Sequence, residues 1–282
     1  MIHDDTSLDA QDNGLEVIEA GGETRVLGHV PSVRWRNVSA YPFGSVPIVP
    51  RDQWQEFDVA EEFPDFRKHI DILDQNGIGA CNGHAACTSL KGARLLAGLT
   101  PVKLSAFKIY ADLCQGHDVG SNIGDALRYL QSKGTCRFEA FPWKCYDPRK
   151  ITPENVAESL NYRIQIGHPV TSFDEIMSLV QLRIFGNFSV RVGGRFNDLD
   201  ADGSPPVAPG PGNHTVAWRP AAKRDRNCKW MIGMDNSWAD WGLNGTCWIR
   251  EEHINRQSYF EGYGIFAPIW TPGDPLNPPM AV

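Results

Sequence analysis

The chain has 282 residues, a formal charge of −7 and 41% hydrophobic residues, so it can bury a large core and bulk disorder is excluded. The negative balance argues against a nucleic-acid binder held by phosphate contacts. No run of about 18 apolar residues is present to cross a membrane.

The first stretch, MIHDDTSLDAQDNG, lacks both a basic and an apolar region, so no secretory signal is expected. Residues 1–50 read as an irregular N-terminal extension interrupted by Pro31, Pro42, Pro47 and Pro50, with room for a short hairpin from Glu16 to Leu27 around Gly21-Gly22. Residues 51–74 read as a loop entering a buried turn. From Cys81, apolar residues Ala85, Ala86, Leu90, Ala93 and Ala97 recur at helical spacing until Gly98 and Pro101. Further helices are expected from an Ser105 N-cap through Leu113, from Ile123 to Ser132 ahead of Gly134, after Thr152-Pro153-Glu154, and from Asp174 to Ile184. Beyond Phe188 the pattern turns strand-like, in Ser189–Val192 and in parts of 214–218, 229–234 and 246–250. Helices first and strands second predict an α+β fold in two lobes with a ligand cleft between them. The main domain is expected over 51–270, followed by a proline-rich tail, 271–282, on the surface.

Seven cysteines fit no zinc spacing. They read as a reduced chain with several small buried thiols; one or two disulfides are possible, but an odd count leaves at least one thiol unpaired within the chain.

Three patches carry chemistry: Asp74 to His84, Gly212 to Val216, and Asp235 to Gly245. Cys81 follows two glycines and opens a helix, where the dipole favours the thiolate that acyl transfer needs. His214 heads an apolar strand-like run and can take the thiol proton. Asn236 can fix the His tautomer. Gln75 can aim its amide at a developing oxyanion. Each residue alone also has a plain structural reading: a buried Cys, a satisfied His, a turn Asn, a polar loop Gln.

Together, in this order, they resemble the papain-like cysteine peptidases. Q-N-G-I-G-A-C-N keeps the family's Gln-to-Cys separation at Gln75 and Cys81. Asn213-His214-Thr215-Val216 is similar to the family's N-H-A-V. N-S-W-A-D-W-G-L-N-G, from Asn236, is similar to its N-S-W-G-x-x-W-G-x-x-G with one residue fewer between the tryptophans. Gly120 to Trp143 is also similar to a family segment, and the resemblance spans roughly residues 65–270.

The resemblance implies a papain-like two-lobe fold, with a helical left lobe and a β-barrel-like right lobe. It implies Cys81 as nucleophile, His214 as base and then acid, Asn236 as orienter and Gln75 as oxyanion donor. Trp238 would shield the His214–Asn236 bond, and Gly79, Asn82, Gly120, Ser121 and Asn213 would line the substrate cleft. It implies a polypeptide substrate, reducing conditions, and neither cofactor nor metal; nucleic-acid and membrane partners are not expected.

Three departures stand out. Ile78 replaces a family Cys, Asn82 replaces the aromatic after the nucleophile, and Ala239 replaces a Gly. The family's long inhibitory propeptide is not visible. Either the enzyme is not made as a zymogen, or a short extension blocks the cleft differently. This points to the prokaryotic and bacteriophage branch, located in the cytoplasm or in a virion. Two rivals share the residues: a catalytically silent structural or binding module, and a transpeptidase or cell-wall cross-link hydrolase.

Asp198-Leu199-Asp200-Ala201-Asp202-Gly203 matches half a calcium loop, but its twelfth position is Pro209 in place of Glu. It reads as a solvated loop. His84 reads as structural, and Glu251-Glu252-His253 as a polar run.

Overall fold

A computed structural model describes residues 15–20, 22–31, 48–63, 65–269, 271 and 274. The expectations for the rest of the N-terminal extension and for most of the 271–282 tail lie outside the described residues.

The chain opens with a hairpin of β1 (Glu16–Ala20) and β2 (Glu23–Leu27), paired from Glu16↔Leu27 to Ala20↔Glu23. β3 (Phe57–Asp58), α1 (Val59–Glu62) and α2 (Phe66–His69) occupy the stretch expected to be loop. α3 (Cys81–Leu96) begins and ends as its apolar spacing predicts. Almost all of it is buried, so it serves as the central helix of the molecule. α4 (Ala106–Cys114) is capped by the Ser105 side chain, α5 (Ile123–Ser132) by Asn122, and α6 (Pro153–Ser159) by a Thr152–Asn155 capping box with proline in its first turn. α7 (Phe173–Gln181) stops short of the expected Ile184. Arg183 turns to φ +59°, and the Ile184 and Arg183 amides donate to the Leu179 and Val180 carbonyls in a Schellman closure.

The strands after β2 form one antiparallel sheet. Its order is β4 (Ile164–Val170), β9 (Gly262–Pro268), β5 (Gly186–Val190), β6 (His214–Arg224), β7 (Trp230–Asp235), β8 (Thr246–Arg250), with β3 added to β6. The barrel-like lobe expected from the resemblance is therefore an open sheet, whose end strands β4 and β8 do not pair with each other. α8 (Trp241–Asn244) and α9 (Glu251–Asn255) are short turns at its margin. One apolar cluster gathers Phe173, Phe188, Trp218, Ile232, Trp238 and Ile249 around the sheet. A second, with Leu90, Ile109, Ile123, Leu127 and Tyr263, binds α3, α4 and α5 to its other side.

Register sets the site. His214 is the first residue of β6 and Asp235 the last of β7, with Ala217 opposite Asp235, so His214 and Asn236 emerge at the same end of neighbouring strands. Asp235 is held from behind by Arg67 at 2.8 Å and Arg219 at 2.9 Å, which fixes the exit of β7. Both carboxylate oxygens are engaged, and the two guanidinium groups keep this buried carboxyl below the usual range against the opposing penalty of burial.

Candidate active site

His214 is fully buried, and its Nε2 lies 2.7 Å from Asn236 Oδ1. The Asn236 side-chain oxygen also accepts from the Ser237 amide, which fixes the oxygen, and not the nitrogen, of that amide toward the ring. Trp238 stacks on His214 with centroids 4.6 Å apart and planes at 28°. Phe196 and Trp241 pack around Trp238 in turn. Burial pushes the His214 pKa down to about 4, against the opposing pull of the Asn236 bond. Its Nδ1, the nitrogen not bonded to Asn236, has no hydrogen-bond partner among the described residues.

Cys81 heads α3, where Ala80 supplies no side-chain cap. Its thiol faces Thr215, the residue after His214, and the backbone of Gly28. The sequence suggested a thiol acidified by the helix dipole. Here the opposite holds: burial pushes Cys81 up to about 11, against the opposing backbone contacts of Thr215 and Gly28.

The segment that carries Gly28 leaves β2 and enters the cleft. The His29 amide donates to the Asn213 carbonyl at 3.3 Å, the Val30 amide to the Ser121 carbonyl at 2.6 Å, and the Ser121 amide to the Gly28 carbonyl at 2.8 Å. His29 thus bridges Ser121 in a parallel sense. Gly28 runs so close to the loop before α3 that a Cβ there would lie 1.9 Å from the Gly79 carbonyl oxygen. Gly120, at φ +71°, is equally constrained, since a Cβ would meet the Gly28 carbonyl at 2.4 Å.

The cleft residues expected from sequence converge on this segment. Gly79 and Gly120 touch Gly28, Ser121 and Asn213 bond its backbone, and Asn82 faces the His29 ring while donating to the Ser121 carbonyl at 2.9 Å. Trp238 differs: it stacks on His214, and its backbone bridges Asp74. The Gln75 side-chain N–H groups donate to the Val26 and Ile78 carbonyls, each at 2.8 Å, and its oxygen accepts from Ser237 at 2.6 Å. The Gln75 amide N–H groups are thus both taken by main-chain carbonyls, one of them in β2.

The hairpin is pinned in turn. Glu16 pairs with Arg191 and accepts from the Asn213 side chain, and Arg25 donates to Asp74 at 2.6 Å. Sequence reasoning missed Gly28, His29 and Thr215 as parts of the site. The one available signal was a glycine directly after a strand-like VL, ahead of the proline-broken stretch.

The remaining sequence candidates resolve elsewhere. Arg250 spans Asp200 at 2.8 Å, Asp202 at 3.2 Å and Asp225 at 3.0 Å, so a guanidinium already lies among the carboxylates of the calcium-like loop. His84 bonds the Ala80 carbonyl at 2.9 Å and packs edge-on to Phe107. His253 bonds the Pro205 carbonyl, while Glu252 pairs with Lys229 and Glu251 with Arg51.

Ala239, where the resembled motif has glycine, sits at φ +48°. A Cβ is disfavoured there, so Ala239→Gly is expected to raise stability by about 0.5–1 kcal/mol. Urea denaturation measures this, and an unchanged or lower midpoint contradicts it.

No family model matches the sequence, and no curated protein matches it. Solved structures do. The chain is similar to xylellain, a cysteine protease from Xylella fastidiosa, at TM-score 0.66 and 19% identity, covering 89% of this chain and 98% of that one. It is similar to proCathepsin B S9 from Trypanosoma congolense at TM-score 0.58 and 17% identity, covering 95% and 98%. It is similar to the bromelain protease from Ananas comosus at TM-score 0.57 and 19% identity, covering 79% and 100%. The chain has the α+β fold of the papain-like cysteine proteases.

Proposed function

We propose that the chain is a cysteine peptidase held latent by its own segment Val26–Val30. The observation that carries this is the His214–Asn236 pair under Trp238, with Cys81 at the head of the facing helix and its thiol against the residue next to His214. When the segment leaves, water and substrate reach the thiol and the burial that suppresses its ionisation is relieved. Cys81 then passes its proton to His214 Nδ1 while Asn236 holds Nε2. The thiolate attacks a peptide carbonyl, and the oxyanion is met by the Cys81 amide and by a Gln75 N–H that Val26 has vacated. His214 protonates the leaving amine. It then activates water against the thioacyl enzyme, releasing a free carboxylate.

The prokaryotic or bacteriophage branch belongs to this reading on the strength of the short, proline-broken stretch 1–50, and with it a cytoplasmic or virion location. The occlusion of Cys81 also favours a second reading, a silent module. Incubation with a peptide mixture followed by product analysis separates the readings: new free carboxylates mean hydrolysis, new amides mean transfer, and no products mean a silent fold.

The closed form is expected to be pH-dependent. Burial holds His29 at about 3, below the ordinary 6.5 that it regains on release. A lowered folded value stabilises the closed form above about pH 6.5 and withdraws that stabilisation as pH falls toward 3, by at most about tenfold per unit for one histidine. Cys81 acts from the other side. Its value, raised to about 11, stabilises the closed form below the ordinary thiol range and ceases to do so as pH rises through 11. Hydrogen exchange at the His29 and Val30 amides reads this, corrected for the intrinsic rate. Protection should fall between pH 6.5 and 4; constant protection contradicts a neutral, buried His29.

A further inference from the structure

Strand β6 brings a second polar side chain to the nucleophile. Its side chains alternate, so His214 and Val216 turn toward Trp238 and the apolar cluster around the sheet, and Thr215 turns to the opposite face. There Thr215 shares a small internal space with His84, Ala85 and Thr88 of α3. Cys81, Ala85 and Thr88 recur at helical spacing, so the face of α3 that Thr215 meets is the face that carries the thiol. The thiol accordingly contacts both the backbone and the side-chain hydroxyl of Thr215. That contact falls short of a hydrogen bond: Thr215 Oγ1 is buried and has no partner among the described residues. A buried hydroxyl without a partner is unfavourable, and alanine, which the resembled N-H-A-V motif has at this position, would avoid that cost. A neutral thiol is a weak acceptor, whereas a thiolate is a strong one. The hydroxyl therefore has little to bond while Cys81 is protonated and gains a charged acceptor when Cys81 ionises.

On the reading that the chain is a cysteine peptidase, we infer that Thr215 takes part in the reaction: its hydroxyl donates a hydrogen bond to the Cys81 thiolate. The thiol proton passes to His214 Nδ1. Thr215 keeps its own proton throughout and turns its O–H toward the sulfur as charge develops there. Hydrogen bonding to the charged form favours that form, so the hydroxyl offsets part of the burial that pushes the thiol up. The titratable groups around the site are His214 on β6, His84 on α3, and His29 and Arg25 of the N-terminal chain. Thr215 is neutral, so replacing it alters none of these charges directly.

The test uses the full-length chain and the neutral reagent iodoacetamide, with labelling rates at Cys81 read by peptide mass spectrometry near neutral pH. Thr215→Val keeps the shape of the side chain and removes the hydroxyl. Thr215→Ser keeps the hydroxyl and removes the methyl. Thr215→Val should label about tenfold or more slower than the parent, the effect of losing one hydrogen bond to a charged group, and Thr215→Ser within about twofold of it. Thr215→Ala, which adds no bulk, should match Thr215→Val. A role in packing alone predicts the reverse order, with Ser and Ala altered and Val like the parent. That order overturns the inference, as do equal rates in all four proteins. Hydrogen exchange at the His29 and Val30 amides is measured on the same samples. Slow labelling of Thr215→Val at unchanged protection supports the inference, whereas protection that rises by the same factor places the effect in the segment Val26–Val30 and overturns it. Hydrolysis of a peptide mixture is followed alongside. Slower labelling of Thr215→Val without hydrolysis by the parent contradicts the peptidase reading and sustains the role of Thr215, and hydrolysis by the parent with unchanged labelling of Thr215→Val does the reverse. Absence of labelling at Cys81 in the parent contradicts both.

Discussion

Gly28→Ala is expected to open the cleft. The added methyl would lie 1.9 Å from the Gly79 carbonyl oxygen and 2.3 Å from its carbon, and all the nearest atoms are backbone, so no side-chain rotation relieves the clash. The segment must lift, and with it go the bonds to Ser121 and Asn213. Each such bond contributes about 1 kcal/mol net, so losing two or three raises the open population on the order of ten- to a hundredfold. Cys81 alkylation should accelerate by that factor, and hydrolysis with it. Gly194→Ala is the matched control, since a Cβ there meets nothing within 4 Å. An unchanged Cys81 rate in Gly28→Ala contradicts the assignment of latency to this segment.

Cys81→Ala and His214→Ala are expected to remove turnover by on the order of a thousandfold or more, measured as kcat/KM in the Gly28→Ala background so that latency does not mask the loss. Groups that act as one unit are not additive, so the double variant should be no worse than either single one. Asn236→Ala should fall between these and the parent. It leaves nucleophile and base in place but frees the ring, whose Nε2 proton Asn236 now holds. Full turnover in Cys81→Ala would sink the mechanism.

Much of this was legible because it is local. The start of α3 at Cys81, the caps at Ser105 and Thr152, and the stop near Gly98 depend on residues within a turn of each other. The strand starting at His214 and the turn at Asn236 lie in short motifs, and sheet register then brings them together. What escaped was set at long range. β4 and β9 pair along their whole length, yet Gly167 and Pro169 in one and Gly262 and Gly264 in the other interrupt their strand pattern. The calcium-like loop is answered by Arg250, 48 residues beyond Asp202. The Gln75 amide looks correct in sequence, but one of its N–H groups is taken by the Val26 carbonyl, some fifty residues upstream. A helix dipole acts on a thiol locally, whereas the burial that pushes the Cys81 thiol up is set by tertiary packing.

The central claim is a formed catalytic site beneath a removable segment, and an epoxysuccinyl thiol-protease inactivator, mapped by peptide mass spectrometry, tests it most directly. All seven cysteines are free and Cys228 is exposed, so the modified residue must be identified and not merely counted. The account predicts modification at Cys81, faster in Gly28→Ala than in the parent and lost when His214→Ala is added. A Cys81 that stays unmodified in Gly28→Ala, or that reacts equally well without His214, would contradict it.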